Sequence, residues 1–258
     1  TGFPEEAGSP GAWGTNINLP LLPGTGDEGL HRLYDGLISH ILEDFKPELI
    51  INSAGQDNHF SDPLASMAVT AQGYARLADK LQADIAVLEG GYSVESALPY
   101  VNTGIILAMA GMDYSKVLEP DLSELRKQDP RCNKRVDQLI EQVGDLYFNR
   151  ERTKKELLQK CNGVWQRKKH IYYDEEGIRE QQVETVRYCS ICDGYFTIQT
   201  AAEDTRFGDQ SAFIVCLPRD ICPNCKQRAY DEALREKKTG RWQYVFVQHI
   251  VDGFIETI

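Results

Sequence analysis

The sequence predicts an α/β unit built on a parallel sheet, then a helical connector, then a small β-rich domain that holds a metal. Three observations carry this reading. Strand and helix patterns alternate through the first part of the chain, a Lys- and Arg-rich amphipathic stretch follows, and two Cys-x-x-Cys pairs sit in the last third. The limits drawn from these changes are 1–118, 119–168 and 169–258.

The 258 residues are 41% apolar and 26% charged, a balance that supplies a sizeable core and excludes wholesale disorder or a collagen-like chain. No run of about 18 apolar residues occurs, so no membrane partner is expected. The chain lacks an initiator Met and a signal peptide, and Thr1-Gly2-Phe3-Pro4 reads as loop, so a piece of a longer protein is expected. Residues 1–118 hold 5 basic and 15 acidic side chains, against 23 and 24 in the remainder. The acidic first part argues against a phosphate-backbone partner there and tolerates a cationic substrate.

Element by element, Thr25-Gly26-Asp27-Glu28 has the form of a capping box. Leu30, Leu33, Leu37, Ile41 and Phe45 then recur at helical spacing until Pro47 bars continuation. Leu49-Ile50-Ile51-Asn52-Ser53 suits a buried parallel strand, and Thr70 is the expected N-cap of a second helix carrying Tyr74, Leu77, Ala78 and Leu81. Asp84-Ile85-Ala86-Val87-Leu88 is the next strand, and a third helix runs from Val94 to about Met112. This is a βαβ pattern, whose sites lie beyond the carboxyl ends of the strands. A boundary is read at Glu119-Pro120-Asp121-Leu122. Beyond it Val136, Leu139, Ile140, Val143, Leu146 and Tyr147 mark the connector helix, whose basic residues read either as a solvated face or as a nucleic-acid contact.

Two loops leave the strand ends. The first, from Ala54 to Val69, is too long for a plain connector and holds Asp57, His59 and Asp62. The second is Glu89-Gly90-Gly91-Tyr92-Ser93, where glycines admit a close backbone approach beside a Tyr hydroxyl. Either these groups form a metal or polar-substrate site, or the acids and His59 brace their own loop.

Residues from 1 to about 115 resemble the second half of the zinc-dependent histone deacetylase family, nearest its prokaryotic and class II-like members, including acetoin-utilisation proteins and acetylpolyamine amidohydrolases. The resemblance rests on Thr15-Asn16-Ile17-Asn18-Leu19-Pro20, Pro23 to Glu28, Ser53-Ala54-Gly55 with Asp57 and His59, Asp62-Pro63-Leu64, and Leu88 to Tyr92, in that order. It implies an arginase-like parallel-sheet domain and a zinc-dependent amidohydrolase acting on acetyl-lysine, polyamines or small N-acyl amines. Asp62 matches a carboxylate ligand of the catalytic zinc, Tyr92 the hydroxyl that polarises the acyl carbonyl, and Gly91 a backbone position lining the acetyl-lysine channel. Asp57 is expected to be structural, and His59 to brace the site rather than to bind zinc. Gln56 and Asn58 depart from members that carry Phe and Ala there. The family's Asp-x-His ligand motif and its His pair do not occur in this sequence, so the chain alone is expected to be inactive.

The chemistry accounts for the residue types. A zinc ion with open positions binds water and an amide oxygen, acting as a Lewis acid and lowering the water's pKa. A phenol keeps its proton at neutral pH and can donate to a developing oxyanion; Phe in its place would donate nothing.

All seven cysteines lie from Cys132 onward, and Cys189-Ser190-Ile191-Cys192 and Cys222-Pro223-Asn224-Cys225 are two knuckles 29 residues apart. Their spacing predicts a structural zinc on Cys189, Cys192, Cys222 and Cys225 in a ribbon-like domain. The paired spacing also argues for a reducing compartment, cytoplasmic, or nuclear in a eukaryote. Cys216 is read as a strand residue, and Cys132 and Cys161 have no partner spacing. The ribbon either staples its own small domain or contacts protein or nucleic acid through Arg219, Lys226, Arg228 and their basic neighbours, in which case the chain is a non-catalytic deacetylase-like scaffold. Asp252-Gly253 between two β-rich runs predicts a terminal hairpin.

Overall fold

The computed structural model describes residues 2–120, 122, 127–192, 194–204 and 208–258. Thr1 and Asp121, which the sequence places in an opening loop and a boundary turn, lie outside them. The chain divides into two compact units. The first comprises residues up to Ala7 together with Gly14–Arg150, and the second Gly8–Trp13 with Glu151–Ile258.

In the first unit, α1 (Asp27–Leu33) and α2 (Ser39–Phe45) are joined through a π-helical turn, Tyr34–Ile38. Strand β1 (Ile51–Ala54), helix α3 (Ala71–Leu81), strand β2 (Ile85–Leu88), helix α4 (Leu98–Met109) and helix α5 (Pro130–Phe148) follow. Strands β1 and β2 pair in parallel from Ile51↔Ile85 to Ala54↔Leu88, so the loops leaving them begin side by side. Thr70 caps α3 as expected, its hydroxyl accepting from the Gly73 amide at 3.0 Å. It is itself held by Asp27, whose two carboxylate oxygens accept from the Thr70 amide at 2.8 Å and its hydroxyl at 2.6 Å.

The capping box expected at Thr25 does not form. Gly26 is the N-cap of α1, and the Thr25 hydroxyl donates to the Leu22 carbonyl. The free amides of the first turn are met from a distance in sequence, with Gly26 N and Gly29 N donating to Gln128 Oε1 at 2.7 and 3.2 Å.

Two cores organise this unit. Val69, Ala71, Tyr74, Ala78, Val101, Ile105 and Ala108 join α3 to α4. Leu33, Leu37 and Ile41 pack on Val136, Leu139, Val143 and Tyr147 of α5. The apolar stripe read as a connector helix is thus the partner of α1 and α2, and α5 belongs to the first unit.

The second unit contains α6 (Arg150–Lys160) from Glu151 onward and a six-stranded sheet in the order β3-β4-β5-β6-β7-β8. The strands are Val164–Tyr173, Ile178–Arg187, Tyr195–Glu203, Gln210–Leu217, Tyr244–His249 and Phe254–Thr257. Strands β3 to β6 form an antiparallel meander; α7 (Pro223–Thr239) then crosses over to set β7 parallel to β6, and β8 closes the predicted hairpin. Phe213, Val215, Leu217, Val245 and Val247 pack against Ala229 and Ala233 of α7. Glu232 on that helix accepts from Tyr195 Oη at 2.9 Å and from Arg187, fastening α7 to β4 and β5. Burial, followed by the bond to Glu232, pushes the Tyr195 phenol up to about 12.

The place of α5 is open to a direct test. Leu139 is fully buried and Gln138 exposed. Leu139→Ala should cost the first unit about 2–5 kcal/mol in urea unfolding, whereas Gln138→Ala should change it by less than about 0.5 kcal/mol. Equal, small effects would return α5 to the role of a free connector.

Candidate functional site

The two loops at the carboxyl ends of β1 and β2 are tied together before any ligand is considered. Gln56 N donates to the Gly90 carbonyl at 2.5 Å. Asp62, only 7% exposed, takes amides from both loops. Its Oδ1 accepts from Leu64 N at 2.9 Å and Ala65 N at 3.1 Å, and its Oδ2 accepts from Tyr92 N at 2.8 Å. Burial alone would raise this carboxyl's pKa. The amides of Tyr92, Leu64, Ala65 and Ser93 outweigh it and hold the group below the ordinary carboxylate range. Asp62 therefore braces its loop as an ionised carboxylate, which is also the form that binds metal.

Tyr92 follows directly from that anchor, and its side chain is half exposed. Gly91 packs so tightly that a Cβ there would lie 3.0 Å from Gln56 Cβ and 3.1 Å from Leu98 Cδ2. Gln56 is itself buried and donates to Asn102 Oδ1 of α4, so the polar residue at this position packs inside the loop. Asp57 stands over Gly90, where a Cβ would come within 2.8 Å of its Oδ2.

His59 is fully buried and both ring nitrogens are engaged. Nε2 lies 3.3 Å from Glu119 Oε1, and Nδ1 lies 2.9 Å from Ser61 Oγ. It braces the loop, as expected. Its partner Glu119 was missed, because a charged residue before a proline reads as the edge of a linker. Glu119 is 3% exposed, and its Oε1 also accepts from Ala71 N at 3.0 Å. Burial opposes its ionisation, but the bonds from His59 and from backbone amides prevail and lower its pKa. Asp62 and the loop of Tyr92 are thus brought together, with His59 and Glu119 behind them.

In the second unit the four knuckle cysteines converge. Their sulfurs all lie within 4.8 Å of one another, close to the spacing of about 3.8 Å that a tetrahedron with ~2.3 Å metal–sulfur bonds requires. Among the described residues they are the only group of three or more metal-ligating side chains. Ile191 N points at Cys189 Sγ at 3.4 Å and Gly194 N at Cys192 Sγ at 3.3 Å. Gly194 is required there: its φ is +81°, and a Cβ would collide with the Arg187 carbonyl. Cys222 is the N-cap of α7, so the second knuckle uses the electropositive end of a helix. The amides of Ile191 and Cys192, then the Cys225 thiol, bring Cys189 down to about 6, while burial and sharing with the other thiols push Cys225 up. Cys216 stands apart on β6, buried, with its thiol pushed up to about 12 by burial and by Glu184.

The parallel β-strand pair thus presents, on its carboxyl-end loops, a buried carboxylate beside a glycine-flanked tyrosine. Residues 1–108 match the histone deacetylase domain. A probable deacetylase of Archaeoglobus fulgidus is 51% identical over 142 residues, covering 50% of this chain and 40% of that protein. The acetoin utilization protein AcuC of Bacillus subtilis is 32% identical over 140 residues, covering 50% and 36%. The acetylpolyamine amidohydrolase of Burkholderia pseudomallei is 33% identical over 99 residues, covering 37% and 29%. A crystal structure of the HDA15 HD domain superposes with a TM-score of 0.49 at 24% identity, covering 62% of this chain and 43% of that one. The chain spans two fifths or less of the length of these curated relatives. No described helix is long and apolar enough to cross a membrane.

Asp62 and Glu119 are both more acidic folded than unfolded, so their contribution to stability has a definite sign. The unfolded chain takes up protons first as pH falls. The contribution is therefore complete above the unfolded carboxylate range, roughly pH 4–5, and is lost as pH drops through the folded values. Asp62→Asn should be less stable at pH 7 and should lose less on acidification, measured by urea unfolding of the metal-free chain at pH 7 and below pH 4. An identical acid dependence in variant and parent would remove Asp62 from this account.

Proposed function

We propose that this chain carries the second part of the catalytic domain of a zinc-dependent amidohydrolase that removes acetyl or related acyl groups from acetyl-lysine, polyamines or small N-acyl amines. The carrying observation is the direct bond from Tyr92 N to Asp62 Oδ2, which couples the two motif residues on neighbouring loops. Asp62 is one ligand of the catalytic zinc in this reading. A single carboxylate is not a zinc site, and the described residues of the first unit offer no other ligand cluster. The remaining ligands and the general base come from sequence outside this chain, so the chain alone does not hydrolyse its substrate. Two features support this. The short parallel strands leave Ile51, Ile85, Val87 and Leu88 exposed, where a parallel sheet is ordinarily covered on both faces. The chain also spans only part of each relative.

The chain's own contribution to the reaction is orientation and one donor. Gly91 lines the channel with backbone, where a Cβ would press on Gln56 and Leu98 at 3.0 to 3.1 Å. The Tyr92 hydroxyl donates to the acyl oxygen as negative charge grows on it, and Asp62 fixes the backbone from which that side chain projects. In the full-length protein, Tyr92→Phe should lower kcat by roughly two to three orders of magnitude on an acetyl-lysine peptide. Unchanged turnover would take Tyr92 out of the reaction.

In the same reading a zinc staples the second unit, whose sheet begins at Val164, ahead of the limit read at 168. Cys189, Cys192, Cys222 and Cys225 hold one zinc, which fills its tetrahedron with sulfur and leaves no position for water. The role is structural, and a metal site built of four thiolates fits a reducing compartment. Strong chelator should unfold the second unit while the first keeps its helices. Metal analysis should find one zinc per chain in Cys216→Ser and none held stably in Cys222→Ser. Full folding of the second unit in chelator would sink the assignment.

A further inference from the structure

We infer that Glu119 is a positioning residue for Tyr92, acting through a buried hydrogen-bonded chain that links them across the site; the inference rests on the catalytic reading of Tyr92 above. The chain's direction follows from its donors. The Ser61 amide points at His59 Nδ1 at 3.2 Å, and an amide can only donate, so Nδ1 is the acceptor. The ring proton is then on Nε2, which donates to Glu119 Oε1. The Ser61 hydroxyl donates to the same Nδ1, leaving its oxygen to accept from Ser93 Oγ at 2.8 Å.

Ser93 is the residue after Tyr92, and its carbonyl accepts from Ala97 N and Leu98 N at the start of α4. Tyr92 is therefore fixed on both sides: its own amide is bound by Asp62, and the next residue is bound by a relay that ends on a buried carboxylate. The far end is itself secured. Gln72 Nε2 donates to the carbonyls of Tyr114 and Val117 at 2.7 Å each, holding the segment that leads to Glu119 against α3. Among the described residues Glu119 Oε2 is buried with no partner, and the bonds run through Oε1, which takes both His59 and Ala71 N. One acceptor oxygen is what the position requires.

That requirement separates positioning from mere filling of space. Glu119→Gln keeps an acceptor oxygen at Oε1, whereas Glu119→Leu fills the volume without one. Ser93→Ala cuts the relay at its half-exposed end and leaves the buried groups untouched. Amide hydrogen exchange in this chain should show Tyr92 and Ser93 exchanging about tenfold faster in Glu119→Leu and in Ser93→Ala, near the parent rate in Glu119→Gln, with α5 unchanged. In the full-length protein, kcat on an acetyl-lysine peptide should fall roughly tenfold in Ser93→Ala with KM unchanged. Parent-like exchange at Tyr92 in a folded Glu119→Leu or in Ser93→Ala would overturn the inference. A parent protein without any amidase activity would overturn the catalytic reading instead, and the exchange result would still decide whether Glu119 positions the loop.

Discussion

The first unit depends on a buried carboxylate that is bonded by amides from two separate loops. Asp62 has lost most of its water, and three hydrogen bonds at 2.8 to 3.1 Å replace it. Two come from its own loop and one from the loop after the neighbouring strand. Strands β1 and β2 are only four residues each and half exposed, so their ladder alone could not set the relation of fifteen-odd loop residues. A charged acceptor can, because bonds to an ionised group are about twice as strong as neutral ones and the cost of leaving it unpaired in the interior is severe. The same group is the one that family resemblance assigns to metal. The fold and the proposed chemistry thus share one residue.

The second unit reaches the same end by different means. Its sheet is long and its helix is pinned by apolar packing and by Glu232, and the sulfurs of the β4–β5 turn and of the start of α7 converge within 4.8 Å. Amides aimed at Cys189 and Cys192 and the N-terminus of α7 at Cys222 favour thiolate, which is the form that binds metal. Cys216 shows the contrast within one domain. Buried on β6 and near Glu184, it is driven toward the neutral thiol.

What could be read from the sequence was local or carried by motif. Thr70 caps its own helix, Asp252-Gly253 turns its own hairpin, and each Cys-x-x-Cys brings its own pair together, so spacing of two or three residues was enough. The loop motifs around Asp62 and Tyr92 were legible for a different reason, through resemblance to a family. What escaped was set by contacts distant in sequence. Gln128, about a hundred residues away, takes the Gly26 and Gly29 amides at the start of α1, where Thr25-x-x-Glu28 was expected to form the cap. The stripe on α5 announced a helix with a buried face but carried no sign of its partner, and the charged residues around it suggested a connector. Glu119 looked like boundary punctuation, since nothing local distinguishes a buried acid from a solvated one.

These two misreadings fall on the same stretch, and together they change where the domain must end. A limit at 118 would cut off Glu119, leaving the Nε2 proton of His59 and the amide of Ala71 buried without an acceptor. It would also remove the α5 side chains on which Leu33, Leu37 and Ile41 pack, exposing one of the two cores of the unit. The first loss acts on the loop that carries Tyr92, the second on the helices that open with the Pro23 to Glu28 motif. The match to the histone deacetylase domain ends at residue 108. The physical unit continues to Arg150, because the polar anchor of its site and half of its second core are supplied from beyond that point.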